Sequence, residues 1–330
     1  MCCTWPECLD LPPLSTSADS GPAPGTPPPV PGTPPTTPPP VPGTPPTTPP
    51  PAPGTTPPPP PPAPLRRFNV DGLAITRRSP ATDTCSGHHE ETPAVVLVHG
   101  AMDRAASFGR VMRRLGDFDV CAYDRRGYAG SIDAGIAPTL DDQAEDLRRV
   151  CEWTGAARVV VIGHSFGGTV AMRLAESSPS WLATVGAFES PAPSLRAYRS
   201  DGLDLALKAA VTGGPAAAAE SFYRLVVGDA VWNGLRDQDR RLRQAEGEQL
   251  VAELHDLRQH GGPDLAAVTL PVMVGMGSES APAWKSSAYE LANTLSDATL
   301  IQIAGAGHGA HLTHADEFAR FVRTCVALVA

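Results

Sequence analysis

The feature that most constrains the fold of this chain is a single junction, residues 159–172, which read VVVIGHSFGGTVAM. The run Val159–Ile162 is apolar and β-branched throughout, the signature of an inner strand buried on both faces of a parallel sheet. A helical pattern resumes almost at once, so Gly163-His164-Ser165-Phe166-Gly167-Gly168 must turn the chain sharply. Such a turn holds Ser165 in a strained backbone conformation and requires small residues two positions to either side, which Gly163 and Gly167 supply. It also sets Ser165 at a helix N-terminus, where free amides and the helix dipole favour developing negative charge. The Phe166 N–H is then one donor to an oxyanion. A glycine-rich turn whose serine only caps the helix is the plainer explanation. The strand on one side and the helix on the other weigh against it. His164 adjoins Ser165, and consecutive residues at such a turn point apart, so it reads as a structural neighbour.

Composition divides the chain before any fold can be assigned. Of 38 prolines, 28 lie in residues 1–64, a stretch with no Lys or Arg and only Glu7, Asp10 and Asp19 as acids. Residues 30–40, VPGTPPTTPPP, recur unchanged at 41–51 and in drifted form at 52–62. Such a segment cannot bury enough apolar surface to offset its ordering entropy, so residues 1–64 are expected to be a disordered, Pro-rich low-complexity tail, extended as polyproline II. Residues 65–330 are long enough for one large core. They carry all 26 basic residues against 32 acidic ones, which argues against nucleic acid or an anionic membrane as partner. No run approaches the roughly 20 apolar residues of a membrane span. The opening MCCTWPECLD lacks the basic and apolar regions of an export signal, and a cytoplasmic protein is expected. Seven scattered cysteines fit reduced thiols, and Cys2, Cys3 and Cys8 have no second pair at zinc-finger spacing.

The body alternates short β-rich runs with helical stretches, which predicts an α/β fold with a mostly parallel sheet and helices on both faces. Residues 67–70 and 73–77, joined through Asp71-Gly72, predict a hairpin. Further strands are expected at 94–99, 118–123, 158–163, 182–188, 271–275 and 299–303. Helices are expected at 105–115, at 139–154 with Thr139 as cap, after Ser165 through Glu176, at 284–295 and from Asp316 to the end. From about 191 to 268 the pattern is helical only, which predicts a helical cap inserted after the sixth strand. Its Leu195, Tyr198, Leu205, Phe222, Tyr223, Leu225 and Trp232 are apolar candidates for lining a pocket.

On these residues the sequence resembles the α/β-hydrolase fold superfamily across 65–330. His99-Gly100-Ala101-Met102 is similar to that family's oxyanion turn after the third strand. DRRGYAGS, residues 124–131, resembles the segment after the fourth, GHSFGG the nucleophile turn, and Gly305-Ala306-Gly307-His308-Gly309 the late histidine loop. The resemblance implies a second oxyanion amide from Ala101, with Met102 as the alternative. Asp124 reads as a structural partner of Arg125 or Arg126.

A serine hydroxyl needs a base that titrates near neutrality, which means histidine. His308 follows a strand in a glycine-rich loop, and its order after Ser165 agrees with the family's serine, acid, histidine sequence. His311 and His314 continue at three-residue intervals, but no carboxylate stands at a metal-motif spacing, so neither metal nor cofactor is expected. The glycines at 305, 307 and 309 lack the following βαβ unit of a dinucleotide site. For the acid, most relatives carry Asp after the strand here at 271–275, where this chain has Ser278-Glu279-Ser280. Others carry it after the preceding strand, where Glu189 stands before Pro191. Glu189 and Glu279 both remain candidates, with Glu189 favoured.

A serine in place of a carboxylate at the turn disfavours the epoxide hydrolase and haloalkane dehalogenase chemistry of this superfamily. The expected activity is cleavage of an ester, thioester or amide of a small, mainly apolar substrate through an acyl-serine intermediate. The alternative is a non-catalytic ligand-binding protein of the same fold.

Overall fold

The structure, a computed structural model, describes residues 64–80, 92–191 and 201–329. The repeats of the tail, Cys2, Cys3, Cys8 and Cys85, and the pocket candidates Leu195 and Tyr198, lie outside the described residues. Eight strands form one sheet: β1 (Arg66–Val70), β2 (Leu73–Arg78), β3 (Ala94–Val98), β4 (Val120–Tyr123), β5 (Val159–His164), β6 (Leu182–Phe188), β7 (Val272–Gly277) and β8 (Ala298–Ile303). Their order is β1-β2-β4-β3-β5-β6-β7-β8. β1 and β2 pair antiparallel, as do β2 and β4, and all later pairs are parallel. The β1–β2 turn has two residues, Asp71 at φ +50° and Gly72 at φ +88°, the pair of positive angles that matches the strand twist.

Side-chain alternation along the inner strands decides which helix packs where. Val96 and Val98 of β3 and Val159 and Val161 of β5 share one core with Leu147 of α2 (Leu140–Trp153), Val170 of α3 (Phe166–Ala175) and Leu291 of α8 (Pro282–Thr294). The intervening residues Val95, Leu97, Val160 and Ile162 face the other side. There they meet Val111 and Met112 of α1 (Gly109–Arg114), Ala310 of the short α9 (Ala310–Thr313) and Phe318 and Val322 of α10 (Ala315–Ala327). Both faces are therefore covered, as strands apolar on both sides require. The helix expected from Ala105 is shorter than its pattern: Ala105–Phe108 is a 3₁₀ turn that leads into α1. α2 begins as expected, with Thr139 and Asp142 forming a reciprocal capping box.

Among the described residues four helices lie between β6 and β7: α4 (Asp201–Val227), α5 (Asp229–Gly234), α6 (Asp237–Ala245) and α7 (Gly247–His260). α4 is broken at Gly214, where φ is +75°, just before Pro215. Ala206, Leu207 and Ala219 of α4 and Leu250 and Leu254 of α7 bury against Met102 and Tyr128 of the sheet's loops. Between these apolar contacts α7 turns Gln249, Glu253 and Asp256 inward, with Glu246 just before it, all buried. Residues at this three- and four-residue spacing share one helix face.

The chain leaves β3 outward to β4 and then returns past it to β5 on the other side. Connections thus part in opposite directions at the carboxyl ends of β3 and β5, where open α/β sheets place their ligands. His99-Gly100 and Ser165 follow those two ends.

Candidate active site

Ser165 stands between β5 and α3 with φ +53° and ψ −129°, and its N–H donates to the carbonyl of Phe188 at 2.9 Å. Its side chain makes no capping bond to the helix, which leaves the hydroxyl unspent. The glycines around it answer to close approach: a Cβ on Gly163 would collide with the backbone of Gly168, and one on Gly167 with the carbonyl of Val98. A Cβ on Gly100 would come 2.9 Å from that of Ser165, so the loop after β3 lies directly against the serine.

His308 lies in the loop after β8, and its Nδ1 is 2.8 Å from Oε2 of Glu189. Glu189 caps β6 at φ +45° and is fully buried. Its other oxygen accepts the Gly277 N–H at 2.7 Å and the Ser280 hydroxyl, so three donors converge on one carboxylate. Glu279 is exposed, accepts from the Ser278 hydroxyl at 3.1 Å, and makes no hydrogen bond or ion pair with His308 among the described residues. One face of the His308 ring is covered by Trp284 of α8, stacked at 4.0 Å between centroids with planes 13° apart. The histidine loop is tied down where the Gly305 N–H donates to Ser278 Oγ at 2.8 Å. His164 joins the two halves of the site: its Nε2 is 2.8 Å from the carbonyl oxygen of His308.

Among the described residues the N–H groups of Ala101, Met102 and Phe166 donate to no protein acceptor. The loop that carries the first two is shaped from behind. His99 is fully buried, with Nδ1 2.7 Å from the Gly100 carbonyl and Nε2 accepting the Arg125 N–H at 2.9 Å. Burial, with help from the charge of Arg125, pushes its pKa down to about 3, so the ring stays neutral. Arg125 donates to the carbonyls of His99 and Gly100, both at 3.0 Å, and to Glu253 of α7 at 2.6 Å. The guanidinium also lies 5.0 Å from the centre of the Phe166 ring. Thus one buried arginine holds the turn after β3, the first residue of α3 and the inserted helices. The sequence offered DRRG only as a resemblance, and Glu253 lay unremarked in a helical run.

The expected pairing of Asp124 with Arg125 or Arg126 is not what the fold contains. Asp124 accepts the N–H groups of Ala105 at 2.7 Å and Gly130 at 3.0 Å, while Arg126 pairs with Asp146. The carboxylate is satisfied by free loop amides, while Arg125 and Arg126 are each taken by an acid from a helix, Glu253 and Asp146. Of the pocket candidates, Phe222 and Tyr223 pack against the cluster that contains Met102. Trp232 is buried against Tyr223, with ring centroids 5.5 Å apart, and Leu205 is 54% exposed.

The geometry defines a class before any relative does: a serine and a histidine–carboxylate pair carried on the strand ends of a mostly parallel sheet. Comparison agrees, because residues 95–321 match the model of the alpha/beta hydrolase family. The chain belongs to that family. A Variovorax paradoxus protein named as the carbamate hydrolase RutD is 29% identical over 224 residues, which span 64% of this chain and 82% of that protein. Lipase LipV of Mycobacterium tuberculosis is 37% identical over 95 residues, 28% of this chain and 36% of the lipase. Among solved structures, the enol-lactonase of Burkholderia xenovorans superposes with a TM-score of 0.56 at 21% identity, covering 79% of this chain and all of that one, a likeness of fold.

Proposed function

We propose that this chain is a serine hydrolase that cleaves an ester, or a thioester or amide, of a small and mainly apolar substrate through an acyl-serine intermediate. The observation that carries the proposal is the buried Glu189 carboxylate held against His308 Nδ1 at 2.8 Å, in a fold that also sets a strained serine at the end of β5 with its hydroxyl not spent on capping. In this reading Ser165 Oγ attacks the carbonyl carbon as its proton passes to His308 Nε2. The tetrahedral oxyanion accepts the Phe166 N–H and that of Ala101 or Met102, each donor contributing about 3 kcal/mol in comparable sites. Collapse expels the alcohol, thiol or amine, which takes the proton from His308. Water then repeats the sequence on the acyl-serine and releases the acid. Glu189 holds the imidazole in one tautomer and stabilises its cation. The relatives' names, a carbamate hydrolase and a lipase, belong with carbonyl substrates, and a serine at the turn suits acyl transfer. Phe222 and Tyr223, packed beside Met102, support an apolar acyl or alcohol side, with α4–α7 as its roof. The buried unpaired thiols Cys121, Cys151 and Cys325 support a reducing, cytoplasmic setting.

A fluorophosphonate probe followed by peptide mass analysis, with a p-nitrophenyl ester chain-length series, tests the reading. The label is expected on Ser165, and Ser165→Ala or His308→Ala should each lower turnover by roughly 10³-fold or more, the double variant by little further. Near-native turnover in Ser165→Ala would end the proposal. A folded wild-type chain that takes no label would favour the non-catalytic binding protein.

A further inference from the structure

Behind Ser165 lies a second group of polar side chains that the acyl-transfer reading does not use. Asp103, His164 and His311 bring one carboxylate oxygen and two imidazole nitrogens within 4.8 Å of one another. They come from three separate parts of the chain: the loop after β3, the last residue of β5, and α9, which follows β8. His164 and His311 are 5% and 2% exposed, and their rings lie 4.2 Å apart between centroids. His164 Nε2 is 2.8 Å from the His308 carbonyl and can only donate there, so Nδ1 carries the lone pair. Among the described residues that Nδ1 is buried with no hydrogen-bond partner, and both nitrogens of His311 are likewise unpartnered. His311 Nε2 sits 3.3 Å from Asp103 Oδ2.

Two lone pairs on buried imidazoles and the partly exposed Asp103 carboxylate, whose Oδ2 already accepts the Ser107 hydroxyl at 3.0 Å, repel unless something positive lies among them. One proton on His311 can satisfy one of the two acceptors it faces and leaves the other orphaned. A single cation satisfies all three. Tetrahedral ligands about 2.0–2.2 Å from zinc are about 3.3–3.6 Å apart, and the His311–Asp103 separation already matches that edge. The His164 Nε2 bond to a backbone carbonyl is the outer contact that orients metal-binding imidazoles. We infer that Asp103, His164 and His311 form a binding site for a divalent transition cation of the zinc type. The expectation of no metal rested on the spacing of His308, His311 and His314, whereas the carboxylate comes from a distant loop.

The position suggests what the cation does. Asp103 follows Ala101 and Met102, His164 precedes Ser165, and His311 follows His308, so a bound ion pins together the three segments that carry the proposed oxyanion donors, nucleophile and base. This inference stands on the geometry of the three ligands and does not need the acyl-transfer reading.

The test uses the full chain, stripped with chelator and titrated with zinc. One equivalent should bind, measured by metal analysis after dialysis, and Tm should rise with zinc concentration. Asp103→Asn and His311→Gln should each weaken binding at least about 10-fold, while His255→Gln, an exposed histidine of α7, should leave it unchanged. A variant with Cys2, Cys3 and Cys8 changed to Ser should keep the equivalent. Should the ligand variants fail to fold, cobalt(II) on the wild-type chain decides: visible bands without a thiolate charge-transfer band support the site. A thiolate band, an equivalent that survives in both ligand variants, its loss in the cysteine variant, or no binding at all would overturn it.

Discussion

Removing the carboxylate of Glu253 tests how the inserted helices are fastened to the sheet. Glu253 is 0% exposed and its partner Arg125 is 1% exposed, with 2.6 Å between Oε1 and the guanidinium. Its oxygens also accept from the Tyr128 hydroxyl and the Gln249 amide, both at 3.0 Å. Glu253→Ala therefore strands a buried cation that keeps only Gln143 opposite that nitrogen, and leaves a buried phenol without an acceptor. Breaking a buried pair in this way costs about 3–5 kcal/mol. Glu253→Gln keeps one acceptor oxygen and should lose about half as much, whereas Asp239→Ala, at an exposed pair with Arg236, should cost under about 1 kcal/mol. Urea unfolding followed by tryptophan fluorescence reads the difference. With a slope near 3 kcal/mol per M, 4 kcal/mol lowers the midpoint by roughly 1.3 M at constant slope. A Glu253→Ala midpoint within about 0.3 M of wild type, or no larger a shift than Asp239→Ala, would refute the reasoning.

Two further outcomes follow from the same geometry. Glu189→Gln should lower kcat on the order of 10⁴-fold, as losing a triad acid does, while Glu279→Gln stays within a few-fold; steady-state kinetics on a p-nitrophenyl ester separates them, and the reverse ranking would move the acid to Glu279. His99 carries a pKa depressed to about 3 from 6.5 by burial first and the charge of Arg125 second. The unfolded chain therefore takes up a proton that the folded one refuses. Its contribution to stability is complete above pH 6.5 and is lost as pH falls toward 3, by about 5 kcal/mol in all. In urea titrations between pH 6.5 and 5, His99→Gln should show a shallower loss of stability, by up to about one proton per molecule. An unchanged slope would show that the ring is not held neutral.

What the sequence by itself determined were features whose physics is local. Apolar runs of strand length, the Asp71-Gly72 turn, the Thr139 cap and the glycines around Ser165 each specify a conformation within a few residues. The sheet, its hairpin and the turn that carries Ser165 were therefore legible in the chain. The inward face of α7 was not, because Gln249, Glu253 and Asp256 look like a solvated stripe until Arg125 and the loops of the sheet are set opposite them.

Only the tertiary structure decided what stands next to what at the strand ends. Glu189 was favoured over Glu279 in the chain, but each is a carboxylate following a strand, and both stayed open. Pairing β6 between β5 and β7, with Phe188 opposite Gly275, turns Glu189 into the space beneath Gly277 and His308 and leaves Glu279 in solvent. The stacking of Trp284 on His308 and the meeting of Asp103 with His164 and His311 arise the same way. They depend on strand order and register, which join residues far apart in the chain, and no short stretch of sequence carries that information.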